Sequence, residues 1–237
     1  MNAGRTARER VRAELTREIT DIARRQLATE GAAGLSLRAV AREMGMVSSA
    51  IYRYFPSRDD LLTALIIDGY NAIGDAVEAA DRACPPVDHG GRWLTVCRTL
   101  REWALAHPHE YALLYGSPVP GYQAPEDTIG PAIRDVVVYG GIMADAHRSG
   151  VLDPAPGFPS PHAPSWSGDA ERLRRVMPGL PDDVVARAVV AWTALFGAIS
   201  LELFGQFANT ILDPGSAFEH SMTCMGRFIG FAYPADA

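Results

Sequence analysis

Lysine is absent from this 237-residue chain, so all 22 basic side chains other than histidine are arginines. They are unevenly placed, because residues 1–60 carry 11 arginines and 8 acidic residues whereas the remainder carries 11 arginines and 20 acidic residues. The formal net charge of −6 therefore hides a basic N-terminal part. This asymmetry suits a segment that meets phosphate groups, attached to an acidic body that does not.

Cysteine is scarce, which argues against a disulfide framework, a redox pair or a cysteine-rich metal site. The three cysteines are odd in number and widely spaced: Cys84, Cys97 and Cys224. We expect reduced, partly buried thiols. His107, His109 and Glu110 invite a metal interpretation, but Pro108 interrupts the helix and no other histidine or cysteine is spaced to complete the ligand set. The sequence thus predicts no metal ion.

Long apolar runs and catalytic motifs are also missing. We find no run approaching the roughly 18–20 residues that span a bilayer, and the first residues lack the apolar core of a signal peptide. The sequence contains no nucleophile elbow, phosphate-binding loop or placed carboxylate pair. These absences predict a cytoplasmic protein that is neither an enzyme nor a membrane protein and that needs no cofactor.

Apolar residues recur at three- and four-residue steps, which predicts an all-α fold, and no segment has a convincing strand pattern. A first helix ends near Gly31, and a second covers residues 37–44. Gly45 follows, where a glycine can adopt positive φ and turn the chain. A third short helix precedes Pro56, and Ser57 with Asp60 can cap a fourth.

The remaining chain is predicted to be helical as well, over residues 90–107, 111–115, 127–149, 182–207 and 215–231. Residues 153–169 contain five prolines and are predicted to form a surface loop. We divide the chain into a disordered arm over 1–11, a small N-terminal helical domain over 12–60 and a C-terminal helical bundle over 61–234. A long helix joins the two domains.

The segment 36–55 has the properties of a helix-turn-helix, in which the second of two short helices enters the major groove. Small and apolar residues hold the two helices together, and the outer side of the second helix carries hydrogen-bonding groups. Over residues 15–65 the chain resembles the TetR family of bacterial transcriptional regulators (TetR/AcrR-type). The matching motifs are Glu30-Gly31, Ser36-Leu37-Arg38, the Ala41 to Gly45 turn, and Ile51-Tyr52-Arg53-Tyr54-Phe55 followed by Arg58. The segments 107–118 and 191–205 resemble one branch of the family's ligand-binding half.

The resemblance implies which residues contact DNA. Those that match phosphate contacts are Ser36, Tyr52, Tyr54 and Arg58, since hydroxyl and guanidinium groups fix the docking register without reading bases. Arg38 matches a position that reaches base edges. The residues that match the start of the recognition helix are Val47, Ser48, Ser49 and Ala50. Ile51 and Tyr54 could instead be core residues.

One departure from the family pattern leaves two alternatives open. Val47 stands where many members have serine, and Ser48 stands where many have proline or arginine. The recognition helix could therefore be capped by Ser48, one residue late. Alternatively, Val47 could contact a thymine methyl group.

The C-terminal half is expected to bind a small, largely apolar effector and to form the dimer. The residues that could line the cavity are Trp103, Tyr111, Tyr115, Met143, His147, Trp192 and Phe196, although aromatic residues at helical spacing also form ordinary cores. Ala194, Gly197, Ala198 and Leu201 alternate small and large side chains. This pattern favours a homodimer through the last two helices, as a four-helix bundle.

These observations predict a ligand-responsive transcriptional regulator, most simply a repressor that an effector releases from a palindromic operator. Two alternatives come from other classes: an enzyme with a helical pocket, and a non-specific nucleoid DNA binder. The missing catalytic motifs argue against the first. The net acidity argues against the second, because non-specific affinity comes mainly from neutralised phosphates.

Overall fold

A computed structural model describes the backbone of residues 3–153 and 169–233, with the side chains of residues 6–153 and 172–233. Within these ranges the chain is helical and has no strand, which confirms the predicted all-α fold. The proline-rich loop predicted over 153–169 lies almost wholly outside the described residues.

Eleven α-helices follow one another in the described part of the chain. They are α1 Ala3–Gly34, α2 Leu37–Glu43, α3 Ser48–Ile51, α4 Arg58–Ala83, α5 His89–Ala106, α6 Pro108–Tyr115, α7 Ile129–Ala132, α8 Arg134–Arg148, α9 Asp169–Val176, α10 Asp182–Leu203 and α11 Pro214–Ile229. A short 3-10 helix, Glu126–Thr128, precedes α7.

The chain divides into two compact units. The first comprises Met1–Asn71 with His107–Ala132, and the second comprises Ala72–Ala106 with Ile133–Ala237. The division therefore falls inside α4 rather than between residues 60 and 61, where the sequence analysis places it. The reason is tertiary, since Leu113 and Leu114 of α6 pack against the same apolar core as the first half of α4.

The core of the first unit joins α1 to the helix-turn-helix. Its buried members are Ile19, Ile22, Ala23, Leu35, Leu37, Val40, Ala41, Ile51, Phe55, Leu61, Leu62, Leu65 and Ile66. Fully burying a large aliphatic or aromatic side chain contributes about 1.5–3 kcal/mol. Because α2 and α3 are too short to be stable alone, this shared core is what holds them in position.

Three local predictions about this unit are confirmed. Gly31 interrupts α1 with φ of 67°, and Gly45 turns the chain after α2 with the same φ. Residues other than glycine rarely adopt this left-handed backbone conformation. At the start of α4, Ser57 Oγ accepts the Asp60 amide at 3.1 Å and donates to the Asp60 carboxylate at 2.7 Å.

The predicted disordered arm over residues 1–11 is wrong for the residues that the structure describes, because α1 already begins at Ala3. From Arg5 to Arg17 the segment contains no glycine or proline and is rich in arginine, alanine and glutamate, all strong helix formers. Met1 and Asn2 lie outside the described residues.

In the second unit, α5 lies against α8, α10 and α11. Trp93 of α5 is fully buried, and its indole N–H donates to the Met222 carbonyl at 2.8 Å. The Trp93 ring is 5.0 Å from that of Tyr139, whose hydroxyl donates to the Ala188 carbonyl at 2.7 Å. These contacts satisfy the polar atoms of the aromatic core and fix all four helices to one another.

Two predicted helix boundaries in this half are wrong. The single helix predicted over 127–149 is broken at Ile133, whose φ of −102° and ψ of 1° leave the helical range. The helix predicted over 182–207 ends at Leu203, because Gly205 adopts φ of 76° and turns the chain.

Helix α10 also changes the expectation about apolar runs. An 18-residue window within it reaches a mean hydropathy of 1.9, so that by length and composition alone it could cross a membrane. Counting uninterrupted apolar residues in the sequence missed this helix, because Arg187 and small residues dilute the run. In the structure α10 packs against α5 and α11, and 44% of that window is buried.

Asp135, in the first turn of α8, is a buried carboxyl group without an ion-pair partner among the described residues. It is 7% exposed, and burial raises its pKa from 3.8 to about 6, although its Oδ1 accepts the Val136 amide. The folded state therefore holds the proton more tightly than the unfolded state. The contribution of Asp135 to the free energy of unfolding is most favourable below about pH 4 and is lost as the pH rises through about 6.

We therefore expect Asp135→Asn to stabilise the protein at pH 7.5 by about 2 kcal/mol, because the amide keeps the acceptor oxygen without a buried charge. It should also flatten the pH dependence of the free energy of unfolding between pH 4 and 6. Urea unfolding across this pH range measures both effects. Asp127→Asn, at an exposed position, is the matched control, and an equal response of the two variants would contradict the prediction.

Candidate nucleic-acid interface

Helices α2 and α3 form a helix-turn-helix. The Met46 amide donates to the Ala41 carbonyl at 2.8 Å, which closes the turn around Gly45. Val40, Ala41 and Ile51 are fully buried. Because Ile51 anchors α3 to the core, the opposite side of this short helix faces outward.

The predicted start of the recognition helix lies on that outward surface. Val47 is 71% exposed, Ser48 and Ser49 are exposed, and Ala50 is partly exposed. The alternative in which Ser48 caps the helix is wrong, since Ser48 is already its first residue. Val47 occupies the N-cap with an extended backbone and no side-chain cap, so its methyl groups point away from the core.

Two further predicted contacts lie at the start of α2. Ser36 is the N-cap, and its hydroxyl oxygen accepts the Ala39 amide at 3.4 Å, while its own amide donates to Gln26 at 3.2 Å. Its hydroxyl hydrogen can still be donated to a phosphate. Arg38 is exposed, and within the described part of the chain no carboxylate pairs with its guanidinium group.

The two tyrosines after α3 differ in their surroundings. Tyr52 is 41% exposed, as a phosphate contact requires. Tyr54 is partly buried, packs against the core of the first unit and lies beneath the guanidinium of Arg12 at 5.5 Å. The core interpretation is therefore confirmed for Ile51, whereas Tyr54 both packs on the core and keeps an accessible edge.

Arg58, a predicted phosphate contact, instead binds backbone carbonyl groups of the protein itself. Its Nε donates to the Leu35 carbonyl at 3.2 Å and its Nη2 to the Ala32 carbonyl at 2.5 Å. These bonds tie the start of α4 to the last turn of α1 and to the short loop that follows it. We correct the assignment accordingly, because the guanidinium group is already engaged inside the protein.

We expect Arg58→Met to destabilise the protein by about 2 kcal/mol, since two backbone carbonyls lose a charged donor. The salt dependence of DNA binding should stay unchanged. Thermal unfolding and DNA titrations at several salt concentrations measure the two effects. Arg38→Met is the matched comparison and should do the reverse: stability close to that of the wild type, with weaker DNA binding and a relaxed sequence preference, as expected for a lost base contact. A shallower slope for Arg58→Met would restore it as a phosphate contact.

Sequence reasoning missed Arg24, which fixes α1 to α4 and α6 in the first unit. Its three nitrogens face three carboxylates: Asp21 at 2.6 Å, Asp68 at 2.9 Å and Glu110 at 3.1 Å. Burial raises the pKa of Asp68, and Arg24 opposes that change. The sequence contained no clue to this cluster, because its members lie on helices far apart in the chain.

The predicted cavity residues fall into both compact units. Tyr111 is buried and Tyr115 partly buried, with rings 5.0 Å apart, and the ring of Tyr70 lies 5.9 Å from that of Tyr115. This tyrosine cluster belongs to the first unit.

The other five predicted cavity residues belong to the second unit. Met143 is fully buried and Trp103 nearly so. The rings of Trp192 and Phe196 are 5.0 Å apart, with Trp192 37% exposed. His147 is exposed in the last turn of α8, so we remove it from the set. The apolar face of α8 points inward, and His147 lies on the other side of the helix. The spacing of aromatic residues and histidine in the sequence does not reveal on which side His147 lies.

In the described part of the chain, no three histidine, cysteine or acidic side chains are grouped so that they could hold a metal ion. The three cysteines are free thiols. Burial raises the pKa of Cys97 well above its usual value, so this thiol is unreactive.

The sequence comparisons match this architecture. Residues 19–65 match a family described as bacterial regulatory proteins, tetR family, and residues 93–225 match one described as tetracyclin repressor-like, C-terminal domain. The HTH-type transcriptional regulator Rv1816 of Mycobacterium tuberculosis is 44% identical over 220 residues, which is 91% of this chain and 90% of that protein. The regulator Mb1846 of Mycobacterium bovis has the same identity and coverage.

Solved structures are similar too. A protein described as regulatory, SCO4313, has a TM-score of 0.74 at 34% identity, over 92% of this chain and 97% of that one. A bacterial regulatory protein in the tetR family from Rhodococcus RHA1 has a TM-score of 0.63 over 92% and 98% of the two chains. Its identity is only 16%, so it supports the fold alone.

The fold and the exposed helix-turn-helix thus define a DNA-binding transcriptional regulator. The chain belongs to the TetR family of bacterial regulatory proteins. Members of this family are typically responsive to ligands.

Proposed function

We propose that the protein is a homodimeric repressor that leaves a palindromic operator when a small, largely apolar effector binds. The observation that carries the DNA-binding part is the outward face of α3. There Val47, Ser48 and Ser49 are exposed, as is Arg38 at the start of α2, while the buried Ile51 anchors α3 to the core. A recognition helix needs this combination of a buried anchor and free polar groups.

The roles follow from this placement. Arg38 and the residues from Val47 to Ala50 contact base edges, with Val47 suited to a thymine methyl group. Ser36, Tyr52 and Tyr54 contact phosphates and fix the register. One helix-turn-helix makes few base contacts, so two copies are needed to recognise a long site. Their recognition helices lie about 34–36 Å apart in successive major grooves.

The dimer forms through α10 and α11. Val190, Leu201 and Phe204 are 45–47% exposed on one side of α10, and a Cβ added at Gly197, between them, would meet no atom within 4 Å. Ala194 and Ala198 border the same stripe and are partly exposed. A second copy that covers this stripe would complete a four-helix bundle.

The effector acts by binding one of two states more tightly. Its contacts are the aromatic and sulfur-containing side chains predicted for the cavity in the second unit: Trp103, Met143, Trp192 and Phe196. A tilt of α4 then moves the two helix-turn-helix motifs of the dimer out of register with the DNA. The coupling free energy between effector binding and DNA binding is about 1–3 kcal/mol. The protein works in the cytoplasm, without catalysis, cofactor or membrane.

The test is a selection of sheared genomic DNA on the purified protein at near-physiological salt, followed by sequencing. We expect one strongly enriched palindromic site. Enrichment without a common sequence would contradict the assignment of Arg38 and Val47 to Ala50 as base contacts. The genes beside the site then indicate effectors to add to the binding assay, and release by none of these compounds would contradict the ligand-responsive part.

A further inference from the structure

The inward face of α1 extends beyond the core that it helps to form. Leu15, Ile19 and Ile22 follow one another at four- and three-residue steps, and Ile19 and Ile22 are buried. Continued toward the N-terminus, the same steps reach Arg12 and then Arg8. These positions share one side of the helix. The side of α1 that packs on the core at Ile19 therefore continues, beyond the end of the core, with arginine side chains.

Arg12 contacts the end of the recognition helix from this face. Its Nη2 donates to the Arg53 carbonyl at 3.1 Å, in the turn after α3. Its guanidinium also lies 5.5 Å above the ring of Tyr54. One arginine thus binds both the backbone that ends α3 and a side chain expected to contact phosphate.

Arg8 lies one helical turn further from the core, about 6 Å along the axis. It is exposed, and among the described residues no carboxylate or carbonyl binds its guanidinium. Arg10, two positions later, is about 200° away around the helix and so points to the opposite side. The chain therefore offers two arginines of equal charge and similar exposure, of which only one faces the side of the recognition helix.

We propose that the N-terminal turns of α1 form a second contact with the DNA backbone, beside the major-groove site. Arg12 is a positioning residue that holds Tyr54 and the end of α3 in place. Arg8 binds a phosphate of the strand that flanks the half-site. The contact adds affinity without reading sequence, and it rests on the DNA-binding function stated above.

The experiment compares Arg8→Gln with Arg10→Gln in the full-length protein, on a fluorescent duplex of the selected operator. We expect Arg8→Gln to weaken binding about 10-fold at physiological salt and to lower the salt slope by about two per dimer, one for each lost phosphate contact. The preference for operator over random duplex should stay unchanged. Arg10→Gln should resemble the wild type in all three measurements.

A trimmed operator distinguishes the flanking contact from a general charge effect. On a duplex that ends at the half-sites, the difference between Arg8→Gln and wild type should disappear, because the flanking phosphates are gone. Equal losses for Arg8→Gln and Arg10→Gln, or a loss that persists on the trimmed duplex, would overturn the proposal while leaving the regulator function intact. A wild-type protein that selects no operator would overturn both.

For Arg12, the environment of the Tyr54 ring, compared in Arg12→Gln and Arg12→Lys, separates a positioning role from a simple loss of charge. We expect Arg12→Gln to weaken operator binding 10-fold or more, and Arg12→Lys to recover most of it, since an ammonium group can also donate to the Arg53 carbonyl and lie over Tyr54. Tyr54 fluorescence or side-chain NMR should report a freed ring in Arg12→Gln only. Unchanged binding in Arg12→Gln, with its fold intact by circular dichroism, would remove the positioning role.

Discussion

Leu201→Glu should convert the protein from a dimer into a monomer and weaken operator binding by a factor of about 10² to 10⁴. The size of the effect follows from avidity, because the second half-site of a dimer binds at the effective concentration that the first one creates. In the isolated chain Leu201 is 45% exposed in the apolar stripe, near the C-terminal end of α10. A carboxylate there would be buried without a partner if two copies met through this face.

Leu212→Glu is the matched control. Leu212 is 98% exposed in the segment after α10, so the same change in charge and size should leave both the mass of the particle and operator affinity unchanged. Analytical ultracentrifugation and DNA titration at equal protein concentrations measure the two properties. If Leu201→Glu stays dimeric with full affinity, the dimer forms through another surface.

Arg92→Met should destabilise the fold by about 3–5 kcal/mol, because it leaves a poorly solvated carboxylate without its partner. Arg92 is only 10% exposed in the second unit and binds Asp81 through two nitrogens, at 2.8 and 3.0 Å. A third contact, at 2.9 Å, reaches Asp145. The carboxylates raise the pKa of Arg92 further, so the guanidinium stays charged at any pH at which the protein is folded.

Arg148→Met removes the same charge from the same cluster at its exposed edge. Arg148 contacts Asp145 at 3.0 Å but is 74% exposed, so we expect a loss of less than about 1 kcal/mol. Urea unfolding at pH 7 compares the two variants, and the melting temperature of Arg92→Met should fall by roughly 6–20 °C. Similar losses for the two variants would mean that burial does not make the Asp81–Arg92 pair essential.

Local chemistry in the sequence was enough for the helix-turn-helix. The turn at Gly45, the break at Gly31 and the cap at Ser57 depend on the conformational preferences of a few neighbouring residues, and the structure confirms each of them. The spacing of apolar residues likewise identified the buried anchor Ile51. Such features are readable from sequence because the interactions that create them span at most four residues.

The partners of individual arginines were not readable in this way. A phosphate-binding role for Arg58 is consistent with its sequence position, yet its guanidinium bonds to backbone carbonyls 23 and 26 residues away. Arg12 bonds to a carbonyl 41 residues away, and Arg24 to a carboxylate 44 residues away. A guanidinium group is compatible with phosphate, carboxylate or carbonyl acceptors, so only the fold decides which acceptor it meets.

By itself, then, the sequence determined the all-α architecture, the DNA-reading motif and the asymmetry between a basic reader and an acidic body, because these depend on residue type and short-range spacing. The tertiary structure alone decided that α6 packs with the first unit and that α10 is a core helix with one exposed apolar stripe. It also decided that Arg12 binds the end of the recognition helix, whereas Arg58 binds the end of α1 and the loop after it. Each of these depends on which distant surfaces become neighbours, and that arises only when the buried faces of all the helices pack together.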